Sequence, residues 1–222
     1  MDWLTHTTTT DRKMHLEHFF NACKARPSVG KEIEQLLERL CDKVKAHLRN
    51  AEVPCAIDEL CERAQQWYFK ILLALLQSEE KRLQQNDFSG LLSNEQFHTA
   101  LLACCMEGVF ASYSQMAFPI IPQILELHPF NLMKVVESVV KHEPSLPAKL
   151  KEHFLQIESC VLERLAWSQD SPLHGLVVEY EASRAAAQTG QARTQLALEQ
   201  FFKKCRCLAA SRTQDMCRRL LL

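Results

Sequence analysis

The sequence predicts an all-α fold, and three observations carry that prediction. Apolar residues recur at intervals of three and four through most of the chain. No stretch alternates with the period of a strand. Glycine and proline, at 5 and 8 in 222 residues, are too few for a turn-rich β architecture. At about 150 residues per domain, the length allows one or two domains.

The elements follow in order. Residues 1–10, with the Thr7–Thr10 run, have no period and are expected to be disordered. Asp11 is placed to cap a short helix carrying Met14, Phe19 and Phe20, which ends before Pro27. Ser28 caps a second helix with Ile33, Leu36, Leu37, Leu40, Val44 and Leu48 inward, and Pro54 ends it. The third helix has one stripe: Ile57, Leu60, Cys61, Ala64, Tyr68, Ile71, Leu72, Leu75 and Leu76. Asn86–Asp87 and Ser89–Gly90 mark a turn.

Ser93 with Gln96 reads as a capping box. Beyond it, Thr99–Tyr113 is apolar or small except for Glu107, so it is expected to be buried on all sides at the centre of the fold. Pro119, Pro122 and Pro129 bracket a short helical turn. Phe130–Lys141 is helical with Leu132, Met133, Val136, Val139 and Val140 inward. Ser145 is placed to cap the next helix, with Pro147 in its first turn and Leu150, Phe154, Ile157, Val161 and Leu165 buried. The pattern therefore gives one helical domain over residues 11–178 and a linker over 179–195. A separate amphipathic helix follows over 196–222, and the chain stops inside its pattern, as a truncated second domain would.

Composition excludes several function classes. The formal net charge is −1, so no field of one sign points to nucleic acid or a membrane surface. The opening Met1-Asp2-Trp3 and threonine run do not have a secretory leader's pattern, so none is expected, and no Asn-x-Ser/Thr sequon occurs. Most of the ten cysteines fall at apolar helical positions, which predicts reduced thiols in a cytosolic or nuclear compartment rather than disulfides.

Catalytic and metal chemistry find no pattern. The cysteines form no Cys-x-x-Cys pair, and His15, His18 and Cys23 lack a fourth ligand for tetrahedral zinc. His142-Glu143 begins like a zinc-protease motif, but Pro144 and Leu146 break it. No Gly-x-Ser-x-Gly elbow and no glycine-rich phosphate loop occur. The chain is expected to be a non-enzymatic protein-binding domain with no metal and no cofactor.

Several phrases are more specific. Ser78-Glu-Glu-Lys-Arg-Leu83, Phe97-His98 with Leu101-Leu102-Ala103-Cys104, Lys134-Val-Val-Glu-Ser138 and Glu163-Arg-Leu-Ala-Trp-Ser-Gln-Asp-Ser-Pro-Leu173 appear in that order. Together they resemble the A lobe of the pocket in the retinoblastoma family. Phe201-Phe-Lys-Lys204, Leu208-Ala-Ala-Ser-Arg212 and Cys217-Arg-Arg-Leu-Leu221 resemble the first helix of its B lobe. The resemblance covers roughly residues 15–222.

The resemblance implies a cyclin-like fold with a buried central helix. It also implies a nuclear transcriptional corepressor scaffold that controls the cell cycle by binding E2-promoter-binding transcription factors through their acidic activation segment. The matching positions are Lys134, Glu137, Lys141 and Glu158 in the A lobe and Lys203 in the B helix, with Arg212 supporting the seam. Val136 and Val140 are expected to receive apolar anchors. The groove for Leu-x-Cys-x-Glu partners belongs to the B lobe, so chromatin-modifying corepressors are expected only where that lobe is present. No direct nucleic-acid or membrane contact is implied. A cyclin-like activator of a cyclin-dependent kinase is the alternative, since the folds are alike. The chain departs from the family pattern at Glu152, Leu155, Gln200 and Cys207.

Overall fold

Burial runs unbroken from Ala100 to Phe110, and the rest of the fold is arranged around that segment. The computed structural model describes residues 9–23, 27–50, 56–113, 118–168 and 170–188. It is all-helical over those residues. The elements are α1 (Thr9–Ala22), α2 (Val29–Asn50), α3 (Ile57–Leu83), α4 (Ser89–Leu92), α5 (Glu95–Tyr113), α6 (Ile120–Ile124), α7 (Pro129–His142), α8 (Ala148–Glu163), a 3₁₀ turn (Leu165–Trp167) and α9 (Pro172–Gln188). The chain divides into two compact units, residues up to Ser171 and residues from Pro172 onward.

Helix α5 is the axis of the first unit. It packs against α2, α3, α4, α6, α7 and α8. Leu101 through Met106 have no accessible surface, which fits a helix with apolar residues on every side. Its neighbours need only one apolar face each. On α2 that face is Ile33, Leu36, Leu37, Leu40, Val44 and Leu48, all buried as the spacing predicts. On α3 the predicted stripe is buried in full, and Trp67 joins it.

Two contacts set how closely the helices approach. Gly108 of α5 lies under Trp67 of α3 and Phe154 of α8. A methyl group built there would come within 2.6 Å of the indole and 3.0 Å of the Phe154 ring, so only glycine admits both aromatics. Trp67 and Phe154 meet at a tilt of 48°, with centroids 6.5 Å apart.

Three buried polar side chains in this core have partners of known geometry. His98 meets Tyr68 Oη at 2.6 Å through Nδ1 and the Leu92 carbonyl at 3.0 Å through Nε2. Glu107, the one charge in the apolar segment, is 3% exposed and sits 3.0 Å from His153 Nε2 of α8. Glu143, at the C-terminus of α7, lies 2.6 Å from Lys70 Nζ of α3 and accepts the Ser145 hydroxyl at 2.5 Å.

Several helix starts differ from the sequence expectation. The residue that caps α5 is Asn94, whose Oδ1 accepts the Phe97 amide at 3.1 Å, so the Ser93–Gln96 capping box does not form. Ser145 does not cap α8; the helix starts one residue after Pro147, and the Ser145 hydroxyl goes to Glu143 instead. Ser28 does stand just before α2, but its hydroxyl donates to the Glu32 carboxylate at 2.5 Å. Thr9 and Thr10, expected to be disordered, open α1, so that helix starts before Asp11. At the other end, α9 carries helix through Gln188, within the stretch read as a partly helical linker. Residues 189–222, with the expected second-lobe helix, lie outside the described residues.

Candidate functional site

Helix α7 has two faces with different jobs. Phe130, Asn131, Leu132, Met133, Val135, Val136 and Val139 are buried. Lys134, Glu137 and Lys141 are exposed. Their spacing of three and four residues puts them in one row on the solvent side. From Lys134 to Lys141 is about two turns, roughly 10 Å along the axis. The row reads cation, anion, cation.

The N-terminus of α7 is fixed by its own sequence. Pro129 occupies the first turn, where its missing N–H costs nothing. His128 caps the helix, its Nδ1 accepting the Phe130 amide at 3.1 Å while Nε2 faces Ser168 Oγ at 3.3 Å. The nitrogen that accepts an amide cannot itself carry hydrogen, so Nε2 is the donor toward Ser168. The Ser168 hydroxyl in turn donates to the Leu165 carbonyl at 2.9 Å. This chain ties α7 to the 3₁₀ turn that follows α8.

Lys134 is held more firmly than an ordinary surface lysine. Its ammonium donates to Asn131 Oδ1 at 3.0 Å and stands 4.9 Å above the centre of the Phe130 ring. Partial burial of that ammonium pushes its pKa below the usual lysine value. Lys141 lies near the carboxylate of Glu79 on α3, and that carboxylate is bound by Arg82 one turn further along. The Arg82 guanidinium holds the Glu79 pKa below its ordinary value, with Lys141 and His142 adding to the effect.

Of the six residues singled out by resemblance, three therefore share the α7 face. Glu158 is on α8, the helix packed beside α7, and is half-buried. Lys203 and Arg212 lie outside the described residues. One expectation is corrected: Val136 is 1% exposed and is spent on the core, so it has no surface for a partner. Val140 is half-buried and keeps part of its surface. The supporting pair Phe130 and Asn131 was not singled out from sequence. Their positions four and three residues before Lys134 were the available signal.

A separate concavity of about 260 Å³ lies between α2 and the α4–α5 corner, lined by Ile33, Leu36, Arg39, Leu92 and Glu95 among others. It contains none of the six residues. Among the described residues, no group of three or more His, Cys, Asp or Glu side chains converges as metal ligands do, and no helix is long and apolar enough to cross a membrane.

Comparison with known proteins covers the segment that contains α7. The model of the retinoblastoma-associated protein A domain matches residues 1–177, which include the whole of α7 and α8. The chain belongs to the retinoblastoma pocket-protein family. Retinoblastoma-like protein 2 of Rattus norvegicus is 32% identical over 164 residues, covering 71% of this chain and 14% of that protein. Retinoblastoma-like protein 1 of Homo sapiens is 34% identical over 164 residues, covering 71% and 15%. The retinoblastoma-related protein of Scutellaria baicalensis is 31% identical over 179 residues, covering 73% and 17%. The chain thus spans a small part of each of these relatives. Its fold is the all-α, cyclin-like one of a pocket A lobe, with α5 as the buried central helix.

Proposed function

We propose that this chain is the binding half of a non-enzymatic transcriptional corepressor scaffold, and that α7 takes the acidic activation segment of E2-promoter-binding transcription factors. The observation that supports this most is the α7 row itself. Lys134, Glu137 and Lys141 face solvent on a helix whose opposite face is core, so none of the three is needed for packing. Two cations about two turns apart suit a segment with carboxylates at a matching distance. The intervening Glu137 is an acceptor that selects for backbone or side-chain donors between those carboxylates. Glu158, Lys203 and Arg212 complete the proposed contact set.

In this reading the protein works in the nucleus on the cell cycle, and it represses by occupancy rather than by chemistry. Chromatin-modifying corepressors with Leu-x-Cys-x-Glu segments would use a full B lobe, and the chain makes no direct contact with DNA. The test is calorimetric titration of the chain with a synthetic acidic activation peptide. Binding is expected, weakened about tenfold or more when Lys134 and Lys141 are both changed to Glu, the loss of two charge-assisted contacts. No binding, or binding indifferent to the double charge reversal, would overturn the reading. Stimulation of a cyclin-dependent kinase by the chain would favour a cyclin-like activator instead.

A further inference from the structure

The α7 row contains an asymmetry that charge alone does not explain. Lys134 stands on a support built from two residues whose own positions are fixed by the core. Asn131 is 4% exposed and Phe130 is 2% exposed. Both belong to the first turn of α7, which the His128 cap and Pro129 hold in place. The ammonium is therefore set by a hydrogen bond of 3.0 Å from one side and a ring face at 4.9 Å from another. An amide oxygen buried at that depth, and aimed at a cation that could have reached water, does work beyond packing.

We propose that Asn131, with Phe130, is a positioning residue that pre-orders Lys134 to receive a carboxylate of the acidic segment. This rests on the reading of α7 given above and deepens it. A lysine side chain normally loses rotamer freedom when it captures a ligand, and that loss opposes binding. Here the loss is taken on folding. The ammonium has three hydrogens; Asn131 takes one and leaves two for a partner. Because the Asn131 side chain is neutral, it orients the cation without cancelling its charge. Removing water from one side of the ammonium also strengthens its attraction to an incoming carboxylate. Lys134 is thus the specificity-determining cation of the row, and Asn131 acts only through it.

The experiment is a double-mutant cycle on the whole chain, read by titration with the same synthetic acidic peptide. Asn131→Leu keeps the branched shape at Cγ and removes the acceptor. It is expected to weaken binding several-fold, Lys134→Met about tenfold, and the double variant no more than Lys134→Met alone. Strictly multiplying losses would overturn the proposal, since Asn131 would then act independently of Lys134. A second readout needs no variant. In the wild-type chain the Lys134 Cε protons should show an upfield ring-current shift by NMR, which the Lys141 Cε protons lack. Equal shifts for the two lysines would overturn the positioning role even if Asn131→Leu fails to fold. A wild-type chain that binds no acidic peptide while Lys134 keeps its shift would sink the functional reading and the ligand assignment, but leave the support itself standing.

Discussion

Tyr68 and His98 are joined by a hydrogen bond of 2.6 Å inside the core, where both side chains are essentially inaccessible. The His98 Nε2 faces the Leu92 carbonyl, which can only accept, so Nε2 carries the hydrogen and Nδ1 is the lone pair that receives the tyrosine hydroxyl. The pair links α3 to α5 and to the turn before it. Phenylalanine at 68 would leave that lone pair buried without a partner. Tyr68→Phe is expected to cost about 1–3 kcal/mol in urea unfolding with an unchanged slope. A wild-type midpoint would show that water or another donor replaces the hydroxyl.

The same histidine gives a pH dependence with a definite sign. Burial holds the His98 pKa below its ordinary value of 6.5. In the unfolded chain His98 takes up a proton as pH falls through that value, while the folded chain refuses it. The stability contribution is complete above pH 6.5 and declines as pH drops toward the lower folded-state pKa. Replacing His98 by Gln should therefore flatten the fall in stability on the acid side of 6.5, at some cost in absolute stability. Parallel wild-type and variant curves in that range would mean another group dominates the acid transition.

Gly108 is the tightest point of the helix packing. An added methyl would overlap Trp67 and Phe154 together, and neither ring can swing away because Trp67 is fully buried and Phe154 is 1% exposed. Alanine is a better helix former than glycine by about 1 kcal/mol, so propensity alone predicts stabilisation. Overpacking opposes it by about 1–3 kcal/mol. The second effect is expected to win, with Gly108→Ala lowering the thermal midpoint. A raised midpoint would show that α8 can move outward without penalty.

Periodicity made the interior legible and said less about the ends and the site. The stripes of α2 and α3 were readable because one buried face repeats every three to four residues, and Leu101–Met106 because apolarity on all sides leaves only the centre. Helix starts were less legible. Ser93, Asn94 and Ser145 all have capping chemistry, and which oxygen meets an amide depends on backbone angles that one-dimensional spacing does not specify. At the site, Val136 was read inward by periodicity and as a partner anchor by resemblance, and its 1% exposure agrees with the periodicity. Asn131 was hidden for a different reason: its position three residues before Lys134 permits a contact, and only the placed side chains show that it is made.

Thiol reactivity should follow burial. Cys104 and Cys105 have no accessible surface, and their desolvation pushes both pKa values well above the ordinary thiol value. Cys160 on α8 is half-buried. Under native conditions iodoacetamide should label Cys160 well before Cys104 or Cys105, the last two reacting only at the rate of global unfolding. Peptide mapping by mass spectrometry reads the order. Early labelling of Cys104 would mean that α5 opens locally and is not the centre of the fold.

The Lys70–Glu143 pair makes the last prediction, because it separates a buried charge from a buried contact. Glu143 is 1% exposed, and its two oxygens are taken by Lys70 Nζ at 2.6 Å and the Ser145 hydroxyl at 2.5 Å. Lys70 keeps about a quarter of its side chain in water, so it was cheaper to desolvate than the carboxylate. Lys70→Met leaves the carboxylate buried with the hydroxyl alone. That is expected to destabilise by roughly 2–4 kcal/mol at neutral pH, the cost of an orphaned buried charge. Adding Glu143→Gln to Lys70→Met removes the charge while keeping its shape, and should recover most of the loss. If the two variants unfold alike at neutral pH, the unpaired carboxylate costs nothing at this site, and the orphaned-charge argument falls.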